Sequence, residues 1–229
     1  SALGLGMREG LLAAFAEANA KGGVKGRQLE LNAKDDGYEP TRSIEAVKAL
    51  LAENAFALVG PVGTPTSMAT FPIAAEQGVP FIGPFTGAEG LRHPYRPNVV
   101  NVRASYFQET EEMVERLTKD LKVERIAILF QDDAFGRAGL AGVLKAMDKR
   151  GMKLVADAAF ERNTTAVKQA LLEIRRADPQ AVIMVGPYKP MAEFIKLARR
   201  IKLDATFVNI SFVGSEALAK EVGEQGHGV

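Results

Sequence analysis

Two short apolar runs, each closed by Gly-Pro, constrain this chain most: residues 56–59 run into Gly60-Pro61, and residues 79–82 into Gly83-Pro84. Short apolar runs without polar alternation are the pattern of strands buried on both faces of a parallel sheet. Helical stripes lie around them. Met7, Leu11, Leu12, Phe15 and Ala18 fall on one face of a first helix that Gly22-Gly23 stops, and residues 29–33 alternate like a strand. Pro40 stands where a first-turn proline belongs, ahead of a stripe of Ile44, Val47, Leu50 and Leu51. Residues 99–102 form another short strand candidate.

The second half repeats the alternation. Helices are expected over 106–121, 135–150, 166–177 and 190–201, with Leu140, Val143, Leu144 and Met147 inward on the second of these. Strands are expected over 126–130, 154–160, 181–185 and 206–210. Strands alternating with helices of this length make βαβ units around parallel sheets. The predicted architecture is α/β, in two Rossmann-like lobes split near 102–106: residues 1–103 form the first and 104–229 the second. The 229 residues are enough for each lobe to bury a core.

Much chemistry is excluded. The formal net charge of +1 lacks the basic surplus of a nucleic-acid binder, and no stretch approaches the ~20 apolar residues of a membrane span. The opening SALGLGMREG has no basic segment leading into an apolar run, so no signal peptide is expected within these residues. With no cysteine and only His93 and His227, neither a zinc site nor a nucleophile–histidine pair is expected. No metal or cofactor is predicted. The stretch from Gly4 to Gly10 places its third glycine one position too late for a dinucleotide loop and reads as a loop entering a helix. The segment GPVGTPTS at 60–67 lacks the lysine of a phosphate loop. Asp35-Asp36 and Asp132-Asp133 read as solvated strand ends or helix caps.

Small polar residues at the carboxyl ends of strands carry the positive signal, because open α/β sheets bind ligands just beyond those ends. Gly63, Thr64, Thr66 and Ser67 follow one strand and enter a helix, whose N-terminal N–H groups suit a carboxylate. The alternative use of Thr64 and Thr66 is plain helix capping. Phe85, Thr86 and Gly87 follow the next strand. In the second half Phe135, Tyr188 and Ser211-Phe212 follow strands, as aromatic walls of a ligand cleft would.

These residues resemble the type 1 periplasmic solute-binding proteins of the leucine/isoleucine/valine-binding group. AFAEANAKGGVKGRQLELNAKDDGYEPTRSIEAVKALL, ALVGPVGTPTS, GVPFIGPFTGAEGLR, RIAILFQDDAFGRAGLAGV and VIMVGPYKPMAEFIKLAR follow in that family's order and spacing. The resemblance implies two hinged α/β lobes with a small solute in the cleft between them, no catalysis, and a membrane ABC permease as partner. It implies a periplasmic, or otherwise extracytoplasmic and membrane-anchored, receptor. Thr64 matches the hydroxyl that holds the ligand carboxylate; Phe85 and Gly87, with Thr86 between them, complete that contact. Phe135 and Tyr188 match aromatic positions that close over the ligand, and Tyr106 at the lobe crossing is a further contact. A sensor domain of a membrane signalling protein is the alternative use of the module, and a Rossmann-type enzyme a remote one.

Two departures from the family pattern carry expectations. Ser211 falls where amino-acid binders often place an acid for the ligand's ammonium, and a lone serine is a poor partner for a buried ammonium. Asp132, Asp133 and Glu216 are the nearest acids in sequence, and none is clearly aimed at the cleft. A monocarboxylic acid with an apolar or aromatic body is therefore expected over a branched-chain amino acid. The family also has a strand before the segment matching Ser1 and further segments after Val229, so these residues are expected to be a fragment. The complete protein is expected to be a monomer, with strand exchange open to the fragment.

Overall fold

Alternating helices and parallel strands form two separate sheets in a computed structural model that describes residues 2–229. One unit comprises the residues up to Phe85 together with Arg96–Asn101; the other comprises Thr86–Tyr95 and Val102–Val229. Residues 86–95 thus belong with the second unit, not with the first 103 residues.

The first unit holds α1 (Ala2–Ala20), α2 (Pro40–Ala52), β1 (Leu58–Val59), α3 (Thr64–Glu76), β2 (Phe81–Ile82) and β3 (Val99–Val100). Its sheet is parallel in the order β1-β2-β3. Pro40 opens α2, where its missing N–H costs nothing. Leu58 and Phe81 are buried while their strand neighbours Val59 and Ile82 are half-buried. Phe56, expected inside the first strand, is 88% exposed and precedes it.

Three expectations for this unit need correction. The stretch from Gly4 to Gly10 lies inside α1 and is not a loop. Leu12 is exposed, and the half-buried face of α1 runs through Met7, Leu11, Phe15 and Ala18, at helical spacing. Residues 29–33 pair with no strand among the described residues. Alternation supplies a strand's faces, but the ladder needs a neighbouring backbone. The segment is tied down at its start, where the Asn19 amide donates to the Leu29 carbonyl (2.8 Å) and accepts the Leu29 N–H (2.8 Å).

The second unit begins with α4 (Tyr106–Glu115), which runs into a π-helical turn at Arg116–Asp120. Then come β4 (Ile126–Gln131), α5 (Ala134–Asp148), β5 (Ala156–Phe160), α6 (Lys168–Arg176), β6 (Ala181–Val185), α7 (Tyr188–Arg200), β7 (Thr206–Asn209) and α8 (Ser215–Val222). Its parallel sheet has the order β5-β4-β6-β7. Every residue of β4 and β6 is buried, as strands covered by helices on both faces require. On α5, Leu144 points outward (47% exposed), and the inward face is Gly139, Gly142, Val143, Ala146 and Met147.

Candidate functional site

In the first unit the ladder continues past the strands. The Gly60 N–H donates to the Ile82 carbonyl (2.8 Å), the Phe85 N–H to the Pro61 carbonyl (2.7 Å), and the Gly63 N–H to the Phe85 carbonyl (3.2 Å). Val62 and Phe85 pair as a parallel bridge, so the two strand-end loops travel together to the head of α3. Gly63 caps that helix with φ of 103°, and a Cβ there would fall 2.2 Å from the Tyr38 ring. Only glycine fits both demands.

Thr64 is thus the first residue of α3 rather than its cap, and is 2% exposed. Thr66 turns its hydroxyl back onto the Val62 carbonyl (2.5 Å), which makes it a structural group. Ser67 Oγ is fully buried and has no hydrogen-bond partner among the described residues. Phe85 is half-buried. Tyr38 at the head of α3 escaped the sequence reading. Its signal was Asp-Gly-Tyr after a strand-like run: Asp36 accepts the Tyr38 N–H (2.8 Å) and the Ser43 hydroxyl (2.5 Å), fixing a turn with Tyr38 at φ of 62°.

In the second unit Thr86, Gly87 and Tyr106 form one buried cluster. The Tyr106 N–H donates to the Gly87 carbonyl (2.7 Å), and a Cβ on Gly87 would lie 2.6 Å from the Tyr106 ring. Thr86 accepts the Ala88 N–H (3.1 Å) and donates toward the Tyr106 hydroxyl (3.4 Å). Phe135 is fully buried, its ring centroid 5.4 Å from that of Tyr106 and 4.6 Å from that of Phe212. The expected aromatic wall is a core stack: Phe135 and Tyr106 back the strand-end surface and do not line it. The cause is local. Asp133 caps α5 by accepting the Phe135 and Gly136 N–H groups (2.8 and 3.2 Å). Gly136 then lets the helix press onto the end of β4 and turns Phe135 inward. Burial pushes the Asp133 carboxyl up, against the pull of those N–H groups, Gln131 and Arg162.

Tyr188 opens α7 at the carboxyl end of β6 and is half-buried. Ser211 is exposed beyond β7, in a 3-10 turn at Ser211–Val213. An acid that the sequence reading did not name lies against it. Glu109, in the first turn of α4, accepts both the Ser211 N–H and the Ser211 hydroxyl (3.1 Å to the latter), and Arg103 donates to the same hydroxyl. Glu109 is separated from Ser211 by 102 positions, so no local pattern could reveal it. The acids named from sequence are engaged elsewhere: Asp132 with Arg137 (2.5 Å), Asp133 as the cap, and Glu216 with Lys220 (2.8 Å). Among the described residues no cluster of acids and histidines suits a metal ion, and no helix is long and apolar enough to cross a membrane.

Each unit thus places hydroxyls and N–H groups at the carboxyl ends of the strands of a parallel sheet, an arrangement that belongs to open α/β folds. The chain belongs to the periplasmic binding protein family, whose profile matches residues 1–229. It is 27% identical over 227 residues to the Leu/Ile/Val-binding protein BraC3 of Rhizobium johnstonii, covering 96% of this chain and 58% of the relative. The structure of a possible leucine/isoleucine/valine-binding protein from Rhodopirellula baltica superposes with a TM-score of 0.93 at 38% identity, over 99% of this chain and 63% of that one. A substrate-binding periplasmic protein from Ralstonia solanacearum gives 0.86 at 30% identity, over 91% and 59%. This chain spans about three fifths of the length of these relatives. The family is one of binding proteins, not enzymes.

Proposed function

We propose that the protein of which these residues form part is the periplasmic solute receptor of an ABC importer and captures a small carboxylate-bearing ligand. The observation that carries this reading is the head of α3: Thr64 and the Ser67 hydroxyl, which has no hydrogen-bond partner among the described residues, are buried at a helix N-terminus that Gly63 and the paired loops shape. Such a head offers N–H and O–H donors to an anion. The names of the relatives support the solute class, since the Rhizobium protein is called a Leu/Ile/Val-binding protein.

Thr64 and Phe85 on the first unit, and Thr86, Gly87, Tyr188 and Ser211 on the second, are the proposed ligand-facing groups, with Tyr106 and Phe135 behind them. Ligand-linked closure about a hinge would be the signal read by the permease. The test is calorimetry on the full-length protein with L-leucine, L-valine and benzoate. Saturable binding of at least one is expected; binding of none refutes capture of this solute class.

A further inference from the structure

We infer that Tyr38 is a positioning residue for ligand capture: its ring braces the glycine joint at the head of α3, so that the donors there are already in place when a ligand arrives. The inference rests on the capture reading above and adds the residue that prepares the site. Gly63 is the joint. Its N–H donates to the Phe85 carbonyl (3.2 Å), and its carbonyl accepts both the Ser67 N–H and the Thr66 hydroxyl (each 3.1 Å). One residue thus ties the second strand-end loop to the first helical bond of α3. Glycine, however, is the residue least able to hold a conformation by itself. The Tyr38 ring supplies the restraint: an ideal Cβ on Gly63 would fall 2.2 Å from Cε2 and 3.0 Å from Cδ2 of that ring.

The backbone shows what it takes to keep the ring there. Gly37 and Tyr38 are both left-handed, with φ of 61° and 62°. Two such residues in a row favour glycine or asparagine, and a bulky aromatic among them is an outlier. Specific bonds hold it. Asp35 accepts the Gly37 N–H (3.0 Å), and Asp36 takes the Tyr38 N–H with one oxygen and the Ser43 hydroxyl with the other. Ser43 is buried on α2, which packs against α3, so the turn is anchored to the helix beside the one it braces. Glycine at position 38 would make the same turn without strain. The turn therefore does not require a tyrosine, whereas the head of α3 gains its brace from one. A head held in advance loses less freedom on binding, and affinity rises accordingly.

The experiment is calorimetry with L-leucine, L-valine and benzoate on the full-length protein and its Tyr38→Phe, Tyr38→Asn and Tyr38→Gly variants. Each is measured well below its own unliganded thermal midpoint, which also reports that it is folded. Asparagine and glycine accept the left-handed backbone and keep the N–H that Asp36 holds, but remove the ring. Both should weaken whichever of these ligands the wild type binds by about tenfold. Tyr38→Phe keeps the ring and should stay within about twofold of the wild type. A ring that only packs would lower the unliganded midpoint and leave the affinity of the folded protein unchanged; that result overturns the inference, and the capture reading stands. Equal weakening by Tyr38→Phe would assign the effect to the hydroxyl and overturn it as well. So would loss of folding in both ringless variants, which would make the ring a core element. A wild type that binds none of the three refutes the capture reading and the inference with it.

Discussion

Single residues set the two strand-end surfaces by what they cannot be. Gly63 must be glycine because its φ of 103° and the Tyr38 ring leave no room for a Cβ, and Gly87 because the Tyr106 ring and backbone lie against it. These positions hold Thr64 and Thr86 in place without contributing a side chain. Thr64→Ala should weaken ligand binding by about 1–3 kcal/mol if its hydroxyl meets the ligand carboxylate. Calorimetry on the full-length protein checks this, and unchanged affinity would leave Thr64 as a packing residue of the first turn of α3. Phe135 shows where residue-scale reading of a sequence stops. An aromatic after a strand fits a pocket wall or a core stack equally well, and the inward turn is decided by Asp133 and Gly136 acting on backbone geometry.

Among the elements, α5 is held at both ends by different physics. At its start, a Cβ on Gly136 would fall 1.8 Å from the Gln131 carbonyl oxygen, an immovable backbone atom. Gly136→Ala should therefore cost about 1–3 kcal/mol or more, read as a lower urea midpoint with an unchanged slope. Near its end, Arg150 and Lys149 donate to Glu111 of α4 (2.8 and 2.9 Å), and chiefly the Arg150 bond holds the Glu111 carboxyl down from 4.5 to about 2. A carboxylate lowered on folding contributes stability that is complete above its unfolded value and lost as the pH falls through its folded one. Glu111→Gln should thus destabilise the fold slightly at pH 7, by less than about 1 kcal/mol for a partly exposed pair, read as a lower thermal midpoint, with the difference closing between pH 4.5 and 2. A pH-independent difference would assign the loss to packing.

Legibility from the sequence follows the same division. The fully buried β4 and β6 were readable because two covered faces leave an unbroken apolar run. Residues 29–33 show the period of a strand yet have no partner among the described residues, and a period says nothing about a partner. The pairing of α4 with the turn after β7 was invisible for the same reason: it joins residues that only the fold brings together.

Over the whole molecule the two units differ in how deeply they are built. In the second, two central strands are buried along their full length, whereas α1 of the first buries no residue and its sheet strands are two residues long. Amide hydrogen exchange on this chain should follow that contrast, slowest in β4 and β6 and early in α1; equal protection would contradict it. The division into units also carries a consequence for cleavage. The chain passes between units at 85–86, 95–96 and 101–102. A protease cutting after Tyr95, which is 82% exposed, would release no intact unit. The N-terminal piece would keep residues 86–95, whose Gly87 is bonded to Tyr106 of the other piece. The C-terminal piece would keep β3, hydrogen-bonded to β2. Each fragment thus holds part of its neighbour's structure, so a nicked molecule would stay assembled as a complementing pair, and two halves made separately would have to find each other before either could finish folding.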